Sequence, residues 1–259
     1  MTPEQVDRLK HWFEAYADGF ASRAANPEGY LLKKNHTFRV CREIVSLGRE
    51  LGLDHHALLL AEAAACLHDV GRFRQLDQYG TFVDDLSEDH ARIGLRVIEE
   101  ERLLDGWDVR EAEILRAAVA FHNAAALPGD QEEVALVFIK LLRDADKLDI
   151  WRVVTTDDQF RNTATPALIA LGMTDDGQYS PEALQAVAEK RLVNKSAISR
   201  LNDFKLMQIS WVFDLNFPPA VRKVIERGYI PAIMATLPAS KELTAVFGQV
   251  EEWLKPFAP

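Results

Sequence analysis

Four of the seven histidines in this 259-residue chain fall where helical spacing turns them toward apolar neighbours. His36 repeats with Val40, Ile44 and Leu47, and His68 follows Ala61, Ala64 and Ala65. His90 lines up with Ile93, Gly94 and Val97, and His122 with Leu115, Ala118 and Val119. Asp69 stands beside His68 in "CLHDVGRF", at the end of the run "LLLAEAAA". Asp146, within "LLRDADKLDI", has Leu142 four residues before it and Ile150 four after. A buried acid beside a buried imidazole needs a counter-charge or hydrogen bonds. Imidazole nitrogen and carboxylate oxygen are also the ligands that hold Zn, Fe, Mn and similar divalent ions. One inward histidine alone reads as a hydrogen-bonded core residue, but four of them with aspartates alongside read as a metal site. Asp149 is a secondary ligand candidate, while Asp144 follows Lys140 on a polar stripe and reads as a solvated acid. His11, His55 and His56 read as surface residues and Cys66 as core packing.

Positioning these side chains takes helices, and the pattern supplies them almost throughout. Thr2-Pro3-Glu4 caps a first helix carrying Val6, Leu9, Trp12, Phe13 and Tyr16. A second runs from about Asn35 to Leu51 and stops at Gly52, and Asp54 caps a third that ends near Gly71. Residues 72–86, with Gly80 and mixed charges and aromatics, read as a loop, whose Phe73, Tyr79 and Phe82 are available to line a pocket. Ser87 caps a fourth helix, and others cover about 108–123 and 131–154. The segment 155–180 is less regular and reads as a surface wrap. Helices resume behind Ser180-Pro181 and continue through "SRLNDFKLMQISWVFDLNF", whose Trp211 and Phe213 are further pocket candidates, and "SKELTAVFGQVEEWLKPF". No alternating strand pattern is sustained, so the fold class is all-α.

Composition sets the outer limits. With 48% hydrophobic residues the chain can bury one large core or a core with an appended lobe. Its two cysteines, Cys41 and Cys66, argue against a disulfide framework and a thiolate zinc site. A net charge of −10 disfavours nucleic-acid polymers and anionic membrane surfaces, which need clustered Lys and Arg. The opening residues carry acids without an apolar core, and no run approaches the roughly 20 apolar residues of a membrane span, so a cytoplasmic protein is expected.

The order His36, His68-Asp69, then Asp146 in "ADKLD" resembles the HD superfamily of metal-dependent phosphohydrolases, an all-α family named for its His-Asp pair. The resemblance covers roughly residues 30–155. It implies an HD helical bundle over 30–155, an N-terminal helix in 1–29 and a helical extension over 156–259. It also implies a first metal on His36, His68, Asp69 and Asp146. His90 and His122 resemble the two additional histidines of binuclear members, in which the counterpart of Asp69 bridges, implying a second metal on Asp69, His90 and His122. The cofactors would be divalent ions, two per chain, drawn from Fe, Mn, Ni, Co, Mg and Zn. The sequence has no GYP signature, and Asn123 follows His122, which sets it apart from the cyclic dinucleotide phosphodiesterases.

The implied reaction is hydrolysis of a phosphoester or phosphoanhydride in a small phosphorylated metabolite or nucleotide by metal-activated water held near Asp69. Arg72 and Lys147 are candidates to contact the substrate phosphate in catalysis, and Arg92 is a third phosphate-binding option. Two other readings share the ligand set: an HD-fold di-iron oxygenase and a metal-binding sensor without turnover. The oligomeric state stays open, with a homodimer through the C-terminal helices as one option.

Overall fold

The computed structural model describes residues 1–127, 129, 131–156 and 173–258. The described residues are helical, with one isolated bridge, Thr174 to Arg200, and no strand. The chain divides into two compact units, Met1–Asp149 and Ile150–Pro259.

In the first unit, α1 (Pro3–Arg23) starts at a reciprocal cap between Thr2 and Gln5 and buries Val6, Leu9, Phe13, Ala17 and Phe20. The second helix, α2 (Glu28–Glu50), begins seven residues before the expected Asn35; Tyr30 in the added turns is buried and stacks on Phe20 at 5.8 Å. Asp54 caps α3 (His55–Leu67), whose Ala61, Ala63, Ala64 and Ala65 are all fully buried. Small side chains on every face let α1, α2 and α6 pack against it.

The helical path breaks at His68 and Asp69 and then resumes, because residues expected to form a loop instead form α4 (Val70–Tyr79). Gly80, at φ 67°, ends α4 in the left-handed region rather than sitting inside a loop. The anchor of α4 is Phe73, buried among Phe13, Tyr16, Phe20 and Tyr30 with ring centroids 5.7–6.3 Å away, so it is core and lines no pocket. After a 3-10 turn at Asp84–Leu86 comes α5 (His90–Glu100). Its cap is Asp89, which accepts from the Ala91 amide, and not Ser87, whose hydroxyl donates to the Val83 carbonyl. Gly71 makes the α4–α5 contact possible: a Cβ there would lie 2.1 Å from the His90 carbonyl oxygen and 2.6 Å from the Gly94 amide. Asp108 caps α6 (Val109–Phe121), and α7 (Glu133–Thr156) follows, running across the boundary between the units.

The second unit contains α8 (Pro181–Ala188), α9 (Leu201–Ser210), α10 (Pro218–Glu226), α11 (Tyr229–Met234) and α12 (Lys241–Leu254). Ser180 precedes α8 as expected, but its hydroxyl donates to the buried carboxylate of Asp203 instead of capping. The Trp151 indole donates to the Gln208 carbonyl at 3.1 Å, Trp211 packs on Trp151 and Phe213 on Trp253. Most of the irregular stretch, residues 157–172, lies outside the described residues. Among the described residues no helix is long and apolar enough to cross a membrane.

Candidate metal centre

Helix ends and helix faces bring six side chains together inside the first unit. His36 comes from the middle of α2, His68 and Asp69 from the break between α3 and α4, His90 from the first turn of α5, His122 from the end of α6, and Asp146 from α7. All four histidines and Asp69 are at most 5% exposed.

Asp69 divides the group. Its Oδ2 lies 3.6 Å from His36 Nε2 and 3.5 Å from His68 Nε2, while Asp146 Oδ1 lies 3.0 Å and 3.7 Å from the same two nitrogens. The two nitrogens are 3.4 Å apart. Its other oxygen, Oδ1, lies 3.5 Å from His90 Nε2 and 3.8 Å from His122 Nε2, which are 3.0 Å from each other. Donors about 2.0–2.2 Å from one divalent ion lie roughly 3.0–3.6 Å from one another, and spacings close to these make His36, His68 and Asp69, and Asp69, His90 and His122, groups that could hold a metal ion.

The outward ring nitrogens settle which face of each imidazole is available. His68 Nδ1 is 2.7 Å from the Ala65 carbonyl and His122 Nδ1 2.8 Å from the Val119 carbonyl. His36 Nδ1 is 2.7 Å from Asp149 Oδ2, and His90 Nδ1 is 2.9 Å from Asp84 Oδ1. Carbonyls and carboxylates only accept, so each Nδ1 donates, which leaves each Nε2 as the nitrogen that faces the centre and, in a neutral ring, carries the lone pair. Two buried lone pairs held 3.0 Å apart, as in His90 and His122, repel unless an electron-pair acceptor lies between them. The donor set therefore fits divalent cations.

The electrostatics hold His68, His90, Asp69 and Asp146 in the forms a cation needs. Burial pushes His68 down to about 4 and, helped by the Arg72 charge, His90 down to about 3. Burial and Lys33 also press on His36, but its bonds to Asp146 and Asp149 outweigh them and leave it above the ordinary imidazole value. Burial works to raise Asp69, yet Lys33, His68, Arg72 and His90 hold its carboxyl well below the usual range. Asp146 is likewise held down, burial being overcome chiefly by its bond to His36.

Around the centre stand three further residues, of which Asp149 is a ligand candidate by sequence and Lys33 and Asp84 are not. Asp149 stands behind His36 and is itself clamped by Arg39, with Nε at 2.6 Å and Nη2 at 2.9 Å. Asp84 stands behind His90 and is gripped by Arg72 Nη1 at 3.1 Å and Gln75 Nε2 at 2.8 Å. Lys33 Nζ lies 2.7 Å from Asp69 Oδ2. Lys33 is three residues before His36 and Asp149 three after Asp146, a spacing that puts each pair on one helical face. Asp84 sits in "FVDDLSED", where composition cannot separate it from its acidic neighbours.

The candidate phosphate contacts are placed differently from one another. Arg72 reaches the centre, with Nε 3.6 Å from Asp69 Oδ1, while its Nη1 also binds the Phe82 carbonyl at 2.6 Å. Lys147 is buried on α7 beside Asp146, and Arg92 is exposed on α5. Asp144, read as solvated, is fully buried, because α7 is covered on nearly all sides from Leu141 to Ala145. Phe82 is half-buried, its ring centroid 5.8 Å from Lys33 Nζ.

Residues 34–151 match the family model described as HD domain, a family of mostly metal-dependent phosphohydrolases that bind divalent metals. No curated protein and no solved structure matches the chain.

Proposed function

Starting from an HD domain over residues 34–151, we propose that this chain is a metal-dependent phosphohydrolase with a binuclear centre, acting on a phosphoester or phosphoanhydride bond of a small phosphorylated metabolite or nucleotide. The observation that carries the reading is the convergence of four Nε2 atoms on the two oxygens of Asp69, with each Nδ1 tied outward. His36, His68, Asp69 and Asp146 would hold one ion, and Asp69, His90 and His122 the other. Divalent ions held there supply Lewis acidity toward a phosphoryl oxygen and lower the pKa of water.

The chain's own groups do the rest. Asp69 fixes the spacing of the two halves through one rigid carboxylate. Arg72 braces that carboxylate against Asp84 and places a guanidinium charge next to the centre. Lys147, next to Asp146 in sequence, is a second cation for substrate phosphate. Burial of all four imidazoles excludes bulk water from the ligand side and strengthens each electrostatic contact.

Purified protein loaded in turn with Mn, Co, Ni, Mg, Zn or Fe(II) and screened against phosphomonoesters, nucleotides and dinucleotides tests this. Metal-dependent phosphate release that a chelator abolishes is the expected result. Silence on every ester, combined with substrate-dependent O2 uptake by the iron form, would transfer the site to oxygenase chemistry.

A further inference from the structure

Two cations reach the shared carboxylate from outside the ligand set, and only one of them has a structural task. Arg72 Nη1 binds Gln75, the Phe82 carbonyl and Asp84, which ties α4 to the turn before α5. Lys33 differs from it and also from its neighbour Lys34, whose ammonium is neutralised on the surface by Asp18 at 2.8 Å and Glu14 at 3.2 Å. Among the described residues the one acceptor of Lys33 is Asp69 Oδ2, at 2.7 Å, inside the ligand cluster.

A carboxylate that binds two divalent ions has its charge more than neutralised. An ammonium 2.7 Å from it then faces like charge instead of a counterion, and becomes a cation in need of an anion. Lysine suits such an exchange: it is a point charge on a flexible four-carbon stem, so the head can move with no change in the backbone of α2. The Phe82 ring, 5.8 Å from Lys33 Nζ and 6.0 Å from Arg72 Cζ, gives both cations an apolar face beside the centre.

Resting on the phosphohydrolase reading above, we propose that Lys33 is a counterion exchanged by metal: it neutralises Asp69 while the ligands are empty and binds a substrate phosphate oxygen once divalent ions hold Asp69. Lys33 thus competes with metal in one state and recruits the anionic substrate in the other.

Titration calorimetry on the whole chain separates these roles. Mn(II) is titrated into wild type, Lys33→Met and Lys33→Arg, and inorganic phosphate is then titrated into each Mn-loaded protein. Loss of the competing ammonium predicts Mn(II) affinity about 3- to 10-fold tighter in Lys33→Met, with phosphate binding weaker by about 10-fold or more, the loss of one charge-assisted hydrogen bond. Lys33→Arg keeps both affinities within about threefold of wild type. Should Lys33→Met be too unstable to titrate, Lys33→Gln gives the same two readings. Mn(II) affinity that is unchanged or weaker without the ammonium overturns the exchange, and so does a phosphate affinity of Lys33→Met equal to that of a wild type that hydrolyses esters. A wild type that binds Mn(II) yet neither binds phosphate nor hydrolyses any ester overturns the phosphohydrolase reading, and the phosphate role of Lys33 with it.

Discussion

His36 and His90 present the same atom, Nε2, to opposite oxygens of Asp69, but the carboxylates behind them stand on different ground. Behind His36 is Asp149, one helical turn from the candidate ligand Asp146 on the 24-residue α7 and clamped by Nε and Nη2 of Arg39. Behind His90 is Asp84, in a three-residue 3-10 turn held in place by side chains, chiefly Arg72 and Gln75. Gln75 is fully buried and also donates to Ser87 Oγ and the Glu88 carbonyl, so it fastens the whole 84–88 turn. One half is thus oriented by long regular helices, and the other by a polar network between α4 and α5. Identical ligands can differ in rigidity because their outer partners do.

The largest effect should come from the residue common to both halves. Asp69→Ala is expected to remove both ions and all turnover, with metal content measured on the purified protein; two ions per chain in this variant would end the shared-carboxylate account. Next comes the helix contact on which the His90 half depends. In Gly71→Ala the new Cβ meets backbone at 2.1 Å, so α4 must shift from α5 at a cost of about 1–3 kcal/mol in denaturant unfolding. The same variant should lose more metal affinity in the His90–His122 half than in the His36–His68 half, and equal losses would remove the distinction between them.

Two outer-partner variants sharpen the comparison. Asp149→Ala should weaken metal binding in the His36 half by about 10- to 100-fold, and Asp84→Ala should do the same in the His90 half. Stepwise calorimetry should resolve two different affected steps; if both variants weaken one and the same step, the halves do not act separately.

Periodicity made the candidate ligands legible. His36, His90, His122 and Asp146 each continue an apolar stripe, and His68-Asp69 close one, so their inward aim follows from residue type and a 3.6 repeat. Their support was much less visible. Lys33 and Lys34 look alike in sequence, and only the fold sends one to the surface acids and the other to Asp69. The helix α4 was hidden because "RFRQLDQY" has no clean apolar stripe: Phe73 and Gln75 are both buried, one among rings and the other in hydrogen bonds. Asp144 was misread because a polar stripe does not face water where the helix is covered on nearly all sides, as α7 is from Leu141 to Ala145.

A smaller prediction lies outside both halves. Asp203 is fully buried in the second unit; burial works to raise its carboxyl, but bonds from Ser180, Ser199 and Arg200 hold it below the ordinary value. A depressed carboxyl contributes stability above its unfolded value of about 3.9 that is lost as pH falls through the folded value. Asp203→Asn should therefore lower the melting temperature modestly near neutrality and flatten its fall below about pH 4, leaving metal content unchanged. A wild-type acid limb that stays as steep in the variant would assign that loss of stability to other carboxyls.

The central claim is that one carboxylate joins two metal positions, and anomalous diffraction from crystals of the Mn(II)-loaded protein tests it most directly. The account predicts two peaks flanking Asp69, one among His36, His68 and Asp146 and the other between His90 and His122. A single peak touching all four histidines, or peaks away from Asp69, would contradict it.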